Sequence, residues 1–488
     1  MKRSLIACFA LALTTYVAVS AQATLKIMLP GTRPAAMDQV MAEAEKRMAA
    51  DGLSVKLDVN FVPFSDIGQK TQIVLASGES IDLIFDAPWL HLPQMAAKGY
   101  YEDWGPLLDK NGKDILKAIP KELLNANRIG GKIVALPLTN AYLSGREFMV
   151  RQDIREKLGV APITSWDGLI KFAYLVKQKV PGTIPFQSIG GNQGYDWTIP
   201  YFKMDTKNRI NSIQGFTAFT LYTKGNDGKI YNLFETKEPF IYDAFKQARK
   251  YYQDKIFDPD ILSITNGTAA YESGKYAIVA MTDFGIPAQT AANLAKNSPG
   301  AKYEMVTFWS TKPGDYISDF KAWNFIAIPK VSKNKELAVK FLDWAMSSQG
   351  NYDLLAYGLK GVNWEPVGES YKTLGNDYSY FPYAWIWNTT YDRVTAVTPE
   401  ELKLNKSLRV ASNFTVDIMT GFTWDPSPVS NEVSSFSALQ SKYWPLLVQG
   451  VTDPDQTFAA FKKEAGDVAK KIQVEYQRQV DAFLAAKK

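Results

Sequence analysis

The 488-residue chain holds one cysteine and one histidine. Those two scarcities exclude a zinc centre of Cys and His ligands, an iron–sulfur cluster, a disulfide framework and any mechanism that needs two imidazoles. His91 is the sole candidate for a Ser-His-Asp triad, and no Gly-x-Ser-x-Gly elbow accompanies it. Beyond the N-terminus no long apolar run reads as a membrane span. Dense Lys/Arg runs are missing as well. The formal charge of +5 is the small balance of 55 basic and 50 acidic residues, so nucleic acid binding has no electrostatic support. The Gly190-Gly191-Asn192-Gln193-Gly194 loop lacks the Gly-Lys-Ser/Thr of a phosphate cradle. Asp453-Pro454-Asp455 and Asn226-Asp227-Gly228 lack the Glu that closes a calcium loop. The sequence therefore calls for no cofactor and no metal.

What is present is a 46% hydrophobic chain, long enough for two or more domains. It is rich in flat rings, with 12 Trp, 25 Tyr and 26 Phe. The N-terminus reads Met1-Lys2-Arg3, an apolar run from Leu5 to Val19, then Ala21-Gln22-Ala23. That is a secretory signal, residues 1–23, with cleavage expected after Ala23 and a periplasmic or extracellular destination. Leu5-Ile6-Ala7-Cys8 resembles a lipobox, but too few residues precede Cys8 to form its apolar stretch, so lipid anchoring is not expected. Losing this segment removes the only cysteine, which suits folding in an oxidising compartment.

The mature chain opens as alternating strands and helices. Leu25–Leu29, Val55–Val59 and Ile81–Phe85 read as strands. Met37, Val40, Met41, Ala44 and Met48 recur at helical spacing, and a second helix spans 66–76. Such βαβ units predict parallel pairing. In these sheets ligands bind past the carboxyl ends of strands, where this chain places Asp86 and Trp89. Further strands are expected at 133–137, 147–151, 276–280 and 324–329. Helices are expected from Trp166 behind a Ser165 cap, over 240–252 and 335–346, and at the C-terminus through Val468, Ile472, Tyr476 and Val480.

Late aromatics are the main functional signal. Tyr380-Phe381-Pro382-Tyr383-Ala384-Trp385-Ile386-Trp387 is dense in rings, with Trp323, Trp364 and Trp424 in loop or strand-end contexts. Indole and phenol faces suit the C–H faces of sugar rings, while Asp and Asn suit hydroxyls. For any one ring, hydrophobic core is the competing role.

Five segments resemble, in order, the carbohydrate-type extracellular solute-binding family 1 of ABC importers, in its longer form with a C-terminal extension. Ile73–Phe85 is similar to the family's helix–SGE–strand unit, and Gly131–Pro137 to its GKIYALP element. Tyr271–Met281 resembles the F-x-x-G-K-x-A-M strand entry. Ile328–Ala338 resembles IPKxSKNKELA, and Tyr357–Trp364 the YGIEGKHY turn. The resemblance implies an α/β, two-lobe periplasmic-binding-protein fold (type II), each lobe a mainly parallel sheet flanked by helices. It implies lobe one at 24–139 plus 303–349, and lobe two at 140–302 plus 350–488 with a helical extension. A hinge would close the lobes on a solute, and the closed form would dock on permease subunits in the membrane. Ligand contacts would fall at Asp86, Trp89, Asn140, Tyr142, Asp283, Trp323, Trp364 and Trp385.

The function expected is therefore capture of an oligosaccharide or related carbohydrate by a monomeric, non-enzymatic importer component. A secreted carbohydrate-active enzyme using paired carboxylates is the alternative, since 50 acids leave such a pair open.

Overall fold

The computed structural model describes residues 22–487 apart from 139–146, 188–209, 265–268, 282–287 and 394–398, and from positions 215, 217, 270, 271, 307, 309–312, 315, 376 and 379–381. The expected signal segment lies outside the described residues except for Gln22 and Ala23.

The strands, in chain order, are β1 (Ala23–Pro30), β2 (Val55–Val62), β3 (Leu83–Asp86), β4 (Leu136–Leu138), β5 (Glu147–Arg151), β6 (Ile184–Gln187), β7 (Ile210–Ser212), β8 (Leu221–Lys224), β9 (Tyr231–Asn232), β10 (Tyr276–Met281), β11 (Tyr303–Val306), β12 (Tyr316–Ser318), β13 (Asn324–Ala327), β14 (Trp364–Val367), β15 (Ser370–Thr373) and β16 (Phe414–Val416). Helices fall where the periodicity predicts. The Met37–Ala50 helix buries Met37, Val40, Met41, Ala44 and Met48. The Ile67–Ser77 helix ends on Gly78, whose φ of 71° is the left-handed cap that terminates a helix at least cost. Ser165 accepts from the Gly168 amide and starts the Trp166–Lys179 helix.

The first sheet has the order β2-β1-β3-β13-β4. β1 pairs in parallel with β2 and β3, and β13 runs antiparallel to β3 and β4. Its core takes Leu25, Ile27, Leu29 and Phe85 from the strands and Phe341 and Leu342 from the Lys335–Ala345 helix. The second sheet has the order β11-β5-β10-β6, with β10 and β6 parallel. One face, with Phe148, Phe186 and Ile278, packs under the Trp166–Lys179 helix, whose Leu169, Phe172 and Val176 are buried there. The other carries the smaller cluster of Met149, Tyr276, Val279, Leu294 and Met305.

A third core joins β7, β8 and β9 to the Pro239–Gln253, Ser430–Val448 and Pro454–Ala486 helices. Two of the expected lobe bounds cut across these packing units. β11, expected in lobe one, hydrogen-bonds to β5 in the second sheet. The segment after 349, expected wholly in lobe two, divides: Tyr352, Trp364, Trp385 and Phe414 enter the first core, and Phe422 to Val480 the third. Residues 316–318 and 414–416 meet as the parallel pair β12–β16, with Tyr316 and Phe414 in the first core.

Candidate functional site

The carboxyl edge of the first sheet gathers the ends of β1, β2, β3 and β4 and, because it runs the other way, the start of β13. β2 runs into Pro63-Phe64, β3 into Ala87-Pro88-Trp89, and Trp323 directly precedes β13. Phe64, Trp89 and Trp323 are 42%, 53% and 44% exposed. Among the described Trp and Phe residues these three alone are exposed, and all lie on one edge of one sheet. Three exposed rings at strand ends present apolar flat faces where a solute is expected.

The loop beneath Trp89 is held by Asp86. This carboxylate is fully buried, and both of its oxygens are taken by protein donors. It accepts from the Tyr101 hydroxyl at 2.5 Å on Oδ2 and from the Ala87 amide at 2.7 Å on Oδ1. The His91 amide lies 3.4 Å from the same Oδ1, closing the turn. Burial pushes the Asp86 carboxyl up from its ordinary value, opposed chiefly by the Tyr101 hydroxyl. Burial and the neighbouring Asp86 in turn push the Tyr101 phenol up.

Trp89 stands on this turn. Its ring packs against Phe85 with centroids 6.1 Å apart, and its Nε1 donates to Asn324 Oδ1 at 3.2 Å. His91 has a supporting place: Gln72 Nε2 lies 3.0 Å from its Nε2. A Cβ on Gly68 would come within 3.1 Å of its ring, so the helix that carries Gly68 packs directly on the imidazole.

Trp364 and Trp385 are core residues, which corrects their expected place in a cleft. Trp364 is buried, donates its Nε1 to the Gly358 carbonyl at 2.9 Å and packs on Tyr357. Trp385 is buried against Phe341 on the Lys335–Ala345 helix. The reason is local. A 3-10 turn at Pro382–Ala384 folds the aromatic run back onto the first core, where Ala384, Trp385 and Ile386 are all buried. Trp424 is likewise buried, against Tyr476 in the third core. Asn140, Tyr142 and Asp283 lie outside the described residues. Phe64 escaped the sequence reading, although an aromatic directly after a strand and proline obeys the rule that singled out Trp89. Among the described residues, no group of three or more His, Cys, Asp or Glu is placed to hold a metal ion. No described helix is long and apolar enough to cross a membrane.

The family described as bacterial extracellular solute-binding protein matches residues 31–352. A domain of unknown function (DUF3502) matches 418–485, the span of the two long C-terminal helices and the segment leading to them. The chain is 22% identical over 475 residues to a carbohydrate ABC transporter substrate-binding protein of Streptococcus pneumoniae serotype 4 (strain ATCC BAA-334 / TIGR4), covering 95% of this chain and 91% of that one. Its structure is similar to that of the N-glycan transport solute binding protein (NgtS) from Streptococcus pneumoniae, with a TM-score of 0.78, 21% identity, and 96% and 100% of the two chains covered. It is also similar to NgtS in complex with Man5GlcNAc, with a TM-score of 0.67, 21% identity, and 96% and 99% covered. At these identities the structural likeness carries the fold: a type II solute-binding architecture.

Proposed function

Since this chain belongs to the bacterial extracellular solute-binding protein family, we propose that it captures an oligosaccharide between two lobes and delivers it to the permease of an ABC importer. The observation that carries the choice of solute is the trio of exposed rings, Phe64, Trp89 and Trp323, on the carboxyl edge of the first sheet. Stacking on such rings recognises the apolar face of a pyranose and leaves its hydroxyls for amides and carboxylates. The saccharide ligand of the similar NgtS structure supports the same class.

In this reading lobe one is the first sheet with its core, about 24–139 and 316–414. Lobe two is the second sheet, with the third core mounted on it. The β12–β16 pair lies on the path between them and serves as part of the hinge. Asn140, Tyr142 and Asp283, which follow β4 and β10 in the chain, supply polar contacts. The protein works as an exported monomer, its signal removed after Ala23 and Cys8 lost with it, and makes or breaks no bond in its ligand.

A thermal-shift panel of mannose- and N-acetylglucosamine-containing oligosaccharides, set beside peptides, tests the reading. Ligand at a hundred times its dissociation constant should stabilise the protein by about 2.7 kcal/mol, with no product on prolonged incubation. Stabilisation by peptides and by no saccharide overturns the carbohydrate assignment.

A further inference from the structure

β6 ends the parallel pair β10–β6 at Gln187, which lies beside Val279 in the register. Phe186 turns into the core under the Trp166–Lys179 helix. Alternation sends the next side chain, Gln187, to the opposite face, that of Val279 and its small apolar cluster. Gln187 has no exposed surface, and neither its Nε2 nor its Oε1 has a hydrogen-bond partner. Other orphaned atoms, such as the indole nitrogens of Trp104 and Trp444, are single donors on rings that fill cores. Among the described residues only Gln187 leaves both a donor and an acceptor unpaired in burial. Each such atom costs about 1–3 kcal/mol unless something meets it. A leucine would fill the same space without that cost, so the amide itself needs a reason.

We propose that the Gln187 carboxamide is lobe two's fixed hydrogen-bonding group for the solute, and that it takes a vicinal pair of hydroxyls. One hydroxyl would accept from Nε2–H while its neighbour donates to Oε1, so that both orphaned atoms are satisfied by one sugar edge. Its place at the carboxyl end of a parallel strand is where ligands bind in such sheets. Exclusion of water from the amide strengthens the contact and makes it selective, because a ligand lacking the diol would leave both atoms unmet. The rings of lobe one and this amide of lobe two would then hold opposite sides of one solute, which gives closure its differential affinity. The inference rests on the saccharide-binding reading.

The test is calorimetric titration of the full mature chain and its Gln187→Leu variant with a fixed panel: mannobiose, chitobiose, maltotriose and a mannose-rich N-glycan. Gln187→Met serves as the second variant if leucine impairs folding. The expected result is an unliganded melting temperature equal to or above wild type, with affinity for the wild-type ligand reduced about tenfold or more. A variant that is more stable and binds as wild type does overturns the proposal and makes Gln187 a packing residue, with the saccharide reading intact. If the wild-type chain binds none of the panel, that reading falls, and this inference falls with it.

Discussion

The indole N–H of Trp89 is given to Asn324 Oδ1, 3.2 Å away, while half of the ring's surface stays in solvent. The ring is thus pinned by its one polar atom, with an apolar face left open. A pinned ring has lost its rotamer freedom before a ligand arrives, so stacking on it costs little further ordering. Trp89→Ala should reduce saccharide affinity by about tenfold to a hundredfold, and Asn324→Ala by less, because only the pin is lost. Trp323→Ala should resemble Trp89→Ala. Melting temperatures of the unliganded variants should stay near wild type, since the rings are exposed. Unchanged affinity in all three variants would remove this edge from the binding site.

Trp385 gives the opposite expectation. Its ring is buried on Phe341 in the first core, so Trp385→Ala opens a large cavity there. A loss of about 3–5 kcal/mol of stability is expected in urea denaturation, with ligand affinity retained wherever the variant stays folded. A variant of wild-type stability with lost binding would return Trp385 to the cleft.

The contrast between Trp89 and Trp385 shows what could be read from the chain. Strands and helices with regular periods, β1 to β3 and the helix buried through Met37 to Met48, are local patterns, and they appear where the spacing puts them. The exposed place of Trp89 is legible because a ring just past the end of a βαβ strand leaves the core. Trp385 was not, because a dense aromatic run looks the same whether it lines a cleft or plugs a core. The turn at Pro382–Ala384 that decides between them is set by tertiary packing. The split of residues after 349 between two cores was hidden for the same reason: it depends on contacts distant in sequence. Gln187 was invisible because a lone amide at a strand end carries no pattern, and only its unmet atoms single it out.

The Asp86–Tyr101 pair predicts a pH dependence. Burial raises the Asp86 carboxyl, so the folded protein holds that proton more tightly than the unfolded chain. Its contribution to stability is then greatest below the unfolded value and falls as pH rises through the folded one, leaving the cost of a buried charge at neutral pH. Relative to Asp86→Asn, the wild-type protein should lose urea resistance as pH is raised from about 3.8 toward neutrality. Tyr101→Phe removes the donor that favours the ionised form and should extend that loss to higher pH. A wild-type chain that gains on Asp86→Asn as pH rises would reverse the sign and refute the account.

Gly450 makes the most severe single prediction. It turns the Ser430–Val448 helix into the Pro454–Ala486 helix with φ of 66°, a left-handed conformation that side chains resist. The turn also sits on the Pro239–Gln253 helix so closely that a Cβ at Gly450 would lie 2.2 Å from the backbone of Ala248. Carbon atoms in contact need about 3.5–4.0 Å, and backbone cannot swing aside as a side chain does. The Arg249 guanidinium locks the same approach, donating to the carbonyls of Gly450 at 3.0 Å and Val451 at 2.8 Å. Gly450→Ala must therefore lift the helical hairpin off its seat, and a loss above about 4 kcal/mol is expected. Arg249→Ala leaves the two carbonyls without their donor but adds no clash, so its loss should be about 1–3 kcal/mol. Because the third core has its own buried set, the damage should register there first. In a urea titration of Gly450→Ala, the environment of Trp424 and Trp444 should change at lower denaturant than that of Trp104 and Trp385 in the first core. A single transition at the wild-type midpoint would show that the approach at Ala248 is not a constraint on the fold.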